Sequence, residues 1–421
     1  MNKTELINYL ADHRKYKRYL EIGMHAEEDN FKHVRCAHKV RITSGVTGND
    51  EEINDTRLEQ TGNKFDVIFI DGIHTEAQVL NDIDLALKYI DAGGTIIIHD
   101  CLPPDAWHQR ELAEYHPGEN WNGTTWKAVL RVFNQTIHKC SIIDTDWGCG
   151  IIDTSSRQAP INRDLPGTLD YERHYKWLLT YKISVAAFIR DQIKVFYHVA
   201  CMGNWQQVFY EQLQQLRKNG FLNLNLTVLG SRQELATLRE INAEFRMNVN
   251  ILFSSCQLSH FERPALLAIE KYAKENNGYV LYLHTKGVSS PGDETKIKWR
   301  RLMMRELVEK WESCMLQLLA YDIIGVNWRE MPPVSHYCGN FWYASTRYLR
   351  KLANFDPYYQ NPLFQIWDEI NHKRLGCEFW IGSAAQKPNL LSLFCKDVDF
   401  CNKDYWKDKY RYEQRLAVSR R

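Results

Sequence analysis

Long apolar runs, paired cysteines and a surplus of either charge are all missing from this 421-residue sequence. No stretch approaches the about 20 apolar residues that a membrane span needs. Lys+Arg at 53 balances Asp+Glu at 52, for a net charge of +1. No global field therefore gathers nucleic acid or an anionic membrane, and any contact with a polyanion is local. The eleven cysteines are scattered, the nearest pairs being Cys140/Cys149 and Cys395/Cys401. The first stretch, MNKTELINYLADHRKYKRYLEIG, is too charged for a signal peptide. The cysteines read as reduced thiols of a cytoplasmic protein, with peripheral contact at the inner face of the membrane left open. Internal repeats and low-complexity tracts are absent too. Aromatic content of 12% suits carbohydrate faces and ordinary cores alike.

What is present is an α/β pattern, twice. Lys17–Ile22 runs into Gly23 as a strand ending in a loop. Phe65–Ile70 (FDVIFI) is an apolar run closed by Asp71-Gly72, as in a strand buried on both faces of a parallel sheet. Ala77–Ile90 carries apolar residues at helical spacing, Gly93-Gly94 stops that helix, and Thr95–Ile98 is the next strand. Strand, helix, strand with short connections is a βαβ unit. Polar, proline-bearing sequence at Ser155–Thr168 marks a boundary, followed by a helix from Asp170 to about Arg190. Strands then recur at Lys194–Val199, Asn225–Leu229, Val249–Phe253 and Tyr279–Leu283, with helices between them. The length also calls for more than one core. The expected division is a front domain over 1–155, a linker and connecting helix over 156–191, a rear domain over 192–390 and a tail over 391–421, solvated by default.

In open parallel sheets ligands bind beyond the carboxyl ends of the strands. In the front domain those ends carry Glu21-Ile22-Gly23, Asp71-Gly72-Ile73-His74 and His99-Asp100-Cys101. The series YLEIG, FDVIFIDGIHTEAQVLNDI, GGTIIIHDCLPP, WNGTTWKAVLR and DTDWGCGII resembles the class I S-adenosylmethionine methyltransferase domains found beside sugar-modifying enzymes, over about 17–153. That resemblance implies a Rossmann-like fold with Glu21 and Gly23 in the first cofactor loop and Asp71 and His74 beside the cofactor. It also implies a divalent metal on Asp71 and Asp100. The chemistry is consistent: two carboxylates on adjacent strand ends suit Mg²⁺, which lowers the pKa of a substrate hydroxyl, and His74 or His99 accepts the proton. The bland alternative has Asp71 and Asp100 capping the following helix or turn, the histidines in plain hydrogen bonds, and Trp121, Gly123, Trp126 and Trp147 as packing. The sequence also departs from the family. Met24–Asp29 has no second glycine, and Val40–Ser44 has no carboxylate for the ribose.

The rear strand YVLYL ends in His284-Thr285-Lys286-Gly287, without the carboxylate pair that holds a metal in many sugar transferases. A departing nucleoside diphosphate needs positive charge, which Lys286 supplies with His284 and Arg300 or Arg301. The series KVFYHVACMGNWQQVFYEQL, YLHTKGVS, KWRRLM, YDIIGVNW, HYCGNFWYASTRYLRKL and RLGCEFWIG resembles the glycosyltransferase-like domains of capsule and lipopolysaccharide loci, over about 192–383. That resemblance implies a GT-A-like nucleotide-sugar fold, with His284, Thr285, Lys286 and Gly287 at the donor phosphates. Gly339, Asn340, Phe341 and Trp342 would face the acceptor, and Glu378 with Trp380 would lie near the reacting centre. Glu378 is the candidate base, with Asp368 and Glu369 as substitutes. Its alternative role is an i, i+4 partner of Arg374.

The sequence therefore leads to a glycosyltransferase that moves a sugar from a nucleotide-sugar donor to a glycan or glycolipid precursor of the cell surface, with a front methyltransferase-like domain that is either active or retired as a scaffold, no metal required in the rear site and no nucleic-acid partner. Two alternatives stand beside it. One is an S-adenosylmethionine-dependent sugar O-methyltransferase, with Mg²⁺ in the front domain. The other is a non-catalytic carbohydrate-binding or assembly protein.

Overall fold

The structure, a computed structural model, describes residues 1–23, 30–43, 58, 64–332, 334–362, 364, 372–400 and 402–407. The chain forms two compact units, Met1–Phe188 and Ile189–Arg421. None of the ten described cysteines is in a disulfide. Among the described residues no helix is long and apolar enough to cross a membrane.

The first unit is built on seven strands: β1 (Arg18–Gly23), β2 (His38–Thr43), β3 (Phe65–Asp71), β4 (Ile90–Ile98), β5 (His138–Ile143), β6 (Cys149–Arg157) and β7 (Lys182–Ile183). Their order is β2-β1-β3-β4-β6-β5-β7. The first four are parallel, and β6 runs antiparallel between β4 and β5. Parallel strands covered on both faces must be apolar throughout, so FDVIFID and TIII lie almost wholly buried. A fully buried isoleucine such as Ile68, Ile83 or Ile96 contributes about 1.5–3 kcal/mol over an exposed one. The helix Glu76–Tyr89 crosses from β3 to β4, its first turn capped by the Thr75 hydroxyl, which accepts from the Gln78 amide at 3.4 Å. Register sets the site: Gly23 pairs with Asp71 across β1 and β3, and Ile70 with Ile98 across β3 and β4.

Sequence and structure part at three places. Gly93-Gly94 does not lie in a loop but inside β4, which begins at Ile90. A Cβ on Gly94 would stand 2.7 Å from the Asp66 carbonyl, so glycine is what lets β3 and β4 close. The segment 156–191 is no free linker. Its single expected helix is a helix Tyr171–Leu178, then β7, which pairs with β5, then a helix Val185–Arg190. Tyr171 and Tyr175 pack edge-on against the buried Trp126 at 5.8 and 5.6 Å, which gives the first helix an apolar face to bury.

The second unit has a seven-stranded sheet of β8 (Ile193–Ala200), β9 (Asn223–Leu229), β10 (Asn248–Ser255), β11 (Tyr279–His284), β12 (Ile323–Gly325), β15 (Trp342–Ser345) and β16 (Leu390–Ser392). The order is β10-β9-β8-β11-β15-β12-β16, with β15 antiparallel to both neighbours. A small hairpin, β13 (Trp328–Arg329) with β14 (His336–Tyr337), stands apart from it. The third departure is the tail. Residues 391–407 fold onto this unit: the Asn327 amide spans Val398, donating to its carbonyl at 2.6 Å and accepting from its N–H at 3.0 Å. Phe400 and Trp406 are buried with it.

Candidate functional sites

The carboxyl ends of β3 and β4 converge as the sequence suggests. Asp71 closes β3, and His99-Asp100 follow β4 directly, Asp100 adopting a left-handed φ of 59°. That strained backbone turns its side chain back into the site, where one carboxylate oxygen accepts from Asn122 at 2.7 Å. The helix-leading loop brings His74 to the same place. Its Nδ1–H donates to the Trp121 carbonyl at 3.2 Å and stands 3.3 Å from Asp100, while Nε2 lies 3.5 Å from Asp71. Gly123, with φ of 57°, passes so close under His74 that any Cβ would strike the His74 carbonyl.

His99 occupies a different electrostatic position. Its Nδ1 is 3.2 Å from both Asp71 and Asp100, and its Nε2 is 3.8 Å from Asp146. Burial disfavours the charged ring, but three carboxylates outweigh it and hold the imidazole well above its ordinary pKa. Asp71 is likewise held well below the carboxylate range against burial, by the His99 charge, hydrogen bonds from both histidines and Lys3. The Lys3 ammonium reaches Asp71 at 2.9 Å, and its backbone N–H donates to Asp146 at 2.7 Å. His99 is therefore a trapped imidazolium and no base. His74 is drawn the same way, its pKa raised against burial by the hydrogen bond to Asp71 and by the charges of Asp100 and Asp71; the Trp121 carbonyl holds Nδ1 as N–H, so Nε2, 3.5 Å from Asp71, is the nitrogen that exchanges a proton.

Metal fit follows from the same contacts. Donor atoms of Asp71, His74 and Asp100 all lie within 4.8 Å of one another, and the two carboxyl groups offer oxygen ligands of the kind Mg²⁺ prefers. On the cofactor side, Gly23 approaches β3 so closely that a Cβ would stand 2.5 Å from the Asp71 carbonyl. Glu21 is not a free loop carboxylate. It is buried, and it accepts from Tyr19, from Asn30 at 2.9 Å and from Arg41 at 2.9 Å. Met24–Asp29 and residues 44–57 and 59–63 lie outside the described residues. Among the four tryptophan and glycine positions read as packing, Trp126 is core, but Trp121 stacks on His74 at 5.6 Å and on Tyr115 at 4.7 Å, and Trp147 is exposed.

In the rear unit the structure separates the expected residues. His284 is buried, its Nε2–H donating to the Gly339 carbonyl at 3.0 Å, and burial lowers its pKa. Thr285 is buried and its hydroxyl accepts from the Ala200 amide at 2.9 Å. Arg300 is buried too, bonding the Lys286 carbonyl at 2.9 Å and Glu211 at 3.4 Å, so it braces the turn at Gly287 (φ 88°). Trp342 and Trp380 are fully buried, the first inside β15 and the second donating to the Ala353 carbonyl at 2.9 Å. Neither faces an acceptor, and the Asn340 amide is spent on Glu262 at 2.6 Å. Asn340, Phe341, Trp342 and Trp380, expected at the acceptor or reacting centre, thus belong to the core: Gly339-Asn340 make a buried turn that leads Trp342 into β15.

Lys286 and Glu378 do come together. Burial opposes a charged Glu378, yet Lys286, His336, the Gly339 amide at 2.8 Å and Arg374 pull its pKa down to about 2. Lys286 also lies over the Trp299 ring at 4.1 Å. Asp368 and Glu369 lie outside the described residues. The sequence reading missed His336 and Cys338 here, and Lys3, Asn122 and Asp146 in the front. HYC, two donors spaced i, i+2, was the one local signal available.

Residues 6–101 match a family model described as a methyltransferase domain, and residues 195–383 match a domain of unknown function, DUF8361. No curated protein matches the chain. Among solved structures, an O-methyltransferase from Bacillus cereus in complex with SAH is 13% identical, with 36% of this chain and 80% of that chain covered and a TM-score of 0.25. MycE methyltransferase from the mycinamycin biosynthetic pathway, solved with Mg, SAH and mycinamycin VI, is 14% identical, with 38% of this chain and 50% of that chain covered and a TM-score of 0.24. Haemonchus contortus phosphoethanolamine N-methyltransferase 1 is 12% identical, with 82% and 91% covered and a TM-score of 0.24. Strand order and the family match, rather than these distant likenesses, identify the front unit as a methyltransferase-like domain on a Rossmann-like sheet.

Proposed function

We propose that this protein is an enzyme whose front unit transfers a methyl group from S-adenosylmethionine to a sugar hydroxyl. The observation that carries the reading is the meeting of Asp71, His74 and Asp100 beyond β3 and β4, inside a segment that matches a methyltransferase domain. When bound, the cofactor supplies an electrophilic methyl group and a divalent ion on Asp71 and Asp100 acidifies the hydroxyl. The chain's own groups do the rest. In its neutral form His74 takes the hydroxyl proton at Nε2, the Trp121 carbonyl holding Nδ1 as N–H, and Asp71 beside it stabilises the ring once charged. His99, with Nδ1 3.2 Å from both Asp71 and Asp100, holds the two carboxylates in place. Thermal-shift titration of the full chain with S-adenosylhomocysteine tests the reading. A ligand at a hundred times its dissociation constant adds about 2.7 kcal/mol, and a folded protein with no shift overturns it.

A second reading concerns the rear unit, and the charge of Lys286, which helps to lower the pKa of Glu378, favours it. On a GT-A-like fold, Lys286 would offset charge on a nucleotide sugar's phosphates while Glu378 takes the proton of a surface-glycan acceptor. A shift with some nucleotide sugar that Lys286→Ala abolishes supports it. No shift with any nucleotide sugar sinks it and leaves a carbohydrate-binding or assembly role for this unit.

A further inference from the structure

Next to Lys286 and Glu378 stand two buried donor groups that neither reading uses. β14 is only His336–Tyr337, and Cys338 follows at once. In extended chain, residues i and i+2 project to one side, so the imidazole of His336 and the thiol of Cys338 face the same way. Glu378 reaches them from the helix His372–Phe379. One donor atom from each residue lies within 4.8 Å of the others, with His336 and Cys338 buried and Glu378 partly open. We propose that His336, Cys338 and Glu378 form a site for a zinc-class divalent ion, with one coordination position left for an exchangeable ligand.

The surroundings orient each donor. His336 Nδ1–H donates to the Val334 carbonyl at 2.7 Å, so its Nε2 keeps the lone pair that a metal needs. The Gly339 amide holds one Glu378 oxygen at 2.8 Å and leaves the other to bind. That turn is fixed, since Gly339 has φ of 89° and a Cβ there would stand 2.8 Å from Met303 Sδ and Trp299 Nε1. The Phe379 ring, 4.7 Å from His336, supplies a dry wall. A nitrogen, a sulfur and an oxygen ligand select zinc, cobalt or a similar ion over Mg²⁺. Three protein ligands with a fourth position open are the arrangement of reactive zinc, whereas structural sites close all four.

Charge decides what the fourth ligand is. A thiolate and a carboxylate neutralise the divalent ion, and Lys286, over the Trp299 ring that packs on the Gly339 turn, adds a positive charge nearby. An anion such as a phosphate or carboxylate oxygen completes it. The site is independent of the methyl-transfer reading. It would make Glu378 a ligand rather than a free base in the second reading, and its readout is separate from nucleotide-sugar binding.

The test is cobalt titration of the full chain after chelation. One equivalent should bring visible d–d bands and a near-ultraviolet sulfur-to-cobalt band, unaffected by excess Mg²⁺. The front cluster offers only oxygen and nitrogen and cannot give the sulfur band. Cys338→Ser should abolish that band, and His336→Gln or Glu378→Gln should weaken binding by at least the roughly 10–100-fold that follows loss of a supporting group. A sulfur band that survives in Cys338→Ser overturns the proposal, as does failure of the wild-type chain to bind. If Cys338→Ser does not fold, X-ray absorption on the wild-type cobalt form decides: a sulfur neighbour supports the site, and a shell of nitrogen and oxygen alone refutes it.

Discussion

The two units place their polar groups at the same address, beyond the carboxyl ends of parallel strands, and then treat charge in opposite ways. In the front unit three carboxylates, Asp71, Asp100 and Asp146, surround an imidazolium and a lysine. In the rear unit burial lowers the pKa of His198, His284 and His336 even though Glu262 acts on the first two and Glu378 on the last two, and Lys286 acts on Glu378. Desolvation acts on both sets. The difference is the number of opposite charges within reach, which decides whether a buried histidine ionises. On the proposed readings the front site suits a hard cation and proton transfer, and the rear site softer donors.

The contrast can be broken most forcefully at the front base. His74→Ala should lower methyl transfer by about 10²–10⁴-fold, with S-adenosylhomocysteine binding retained in calorimetry, while Glu378→Gln leaves that rate alone. A rate equally sensitive to Glu378 would show that the units share one active centre. Next in size is the buried pair Arg14–Asp153, bidentate at 2.9 and 2.7 Å. Arg14→Met strands a carboxylate and should cost about 3 kcal/mol in denaturant unfolding, in the transition that reports the front unit only.

Acid should act on each unit through its own carboxylates. Asp153 is held below its ordinary pKa, by Arg14 and Ser155 against burial. Its contribution is full above the unfolded value and is lost as pH falls through the folded one. Glu378, pushed down to about 2, gives the rear unit the same sign of dependence, lost between the usual carboxylate range and about pH 2. Glu378→Gln should flatten the rear transition there, and an unchanged profile would count against an ionised Glu378. The smallest effect belongs to Lys3. Its partly exposed bridge to Asp71 is worth about 0.2–1 kcal/mol. Lys3→Ala should therefore tighten Mg²⁺ binding by at most about fivefold in calorimetry.

The legible part of the front site was its strand ends, because FDVIFI and TIII stop abruptly at polar residues. Its partners were not legible. Lys3 and Asp146 lie 143 residues apart, and no local pattern announces that they meet. The reversal of β6 was hidden as well, since CGII reads the same in either direction. In the rear unit the strands were placed well, but Trp342 and Trp380 carried a functional reading that their burial removes. His336-Tyr337-Cys338 escaped notice because two residues are too short to show a period.

Gly23, Asp71 and His99 stand in one row across three adjacent strands, and neighbouring strands are about 4.8 Å apart. The sheet is therefore a ruler. A donor seated above Gly23 is one spacing from the carboxylate that would bind the ion and two from the fixed imidazolium. Changing any turn around the site leaves those intervals untouched, so substrate preference can drift in the loops while the reaction distance stays set by backbone pairing.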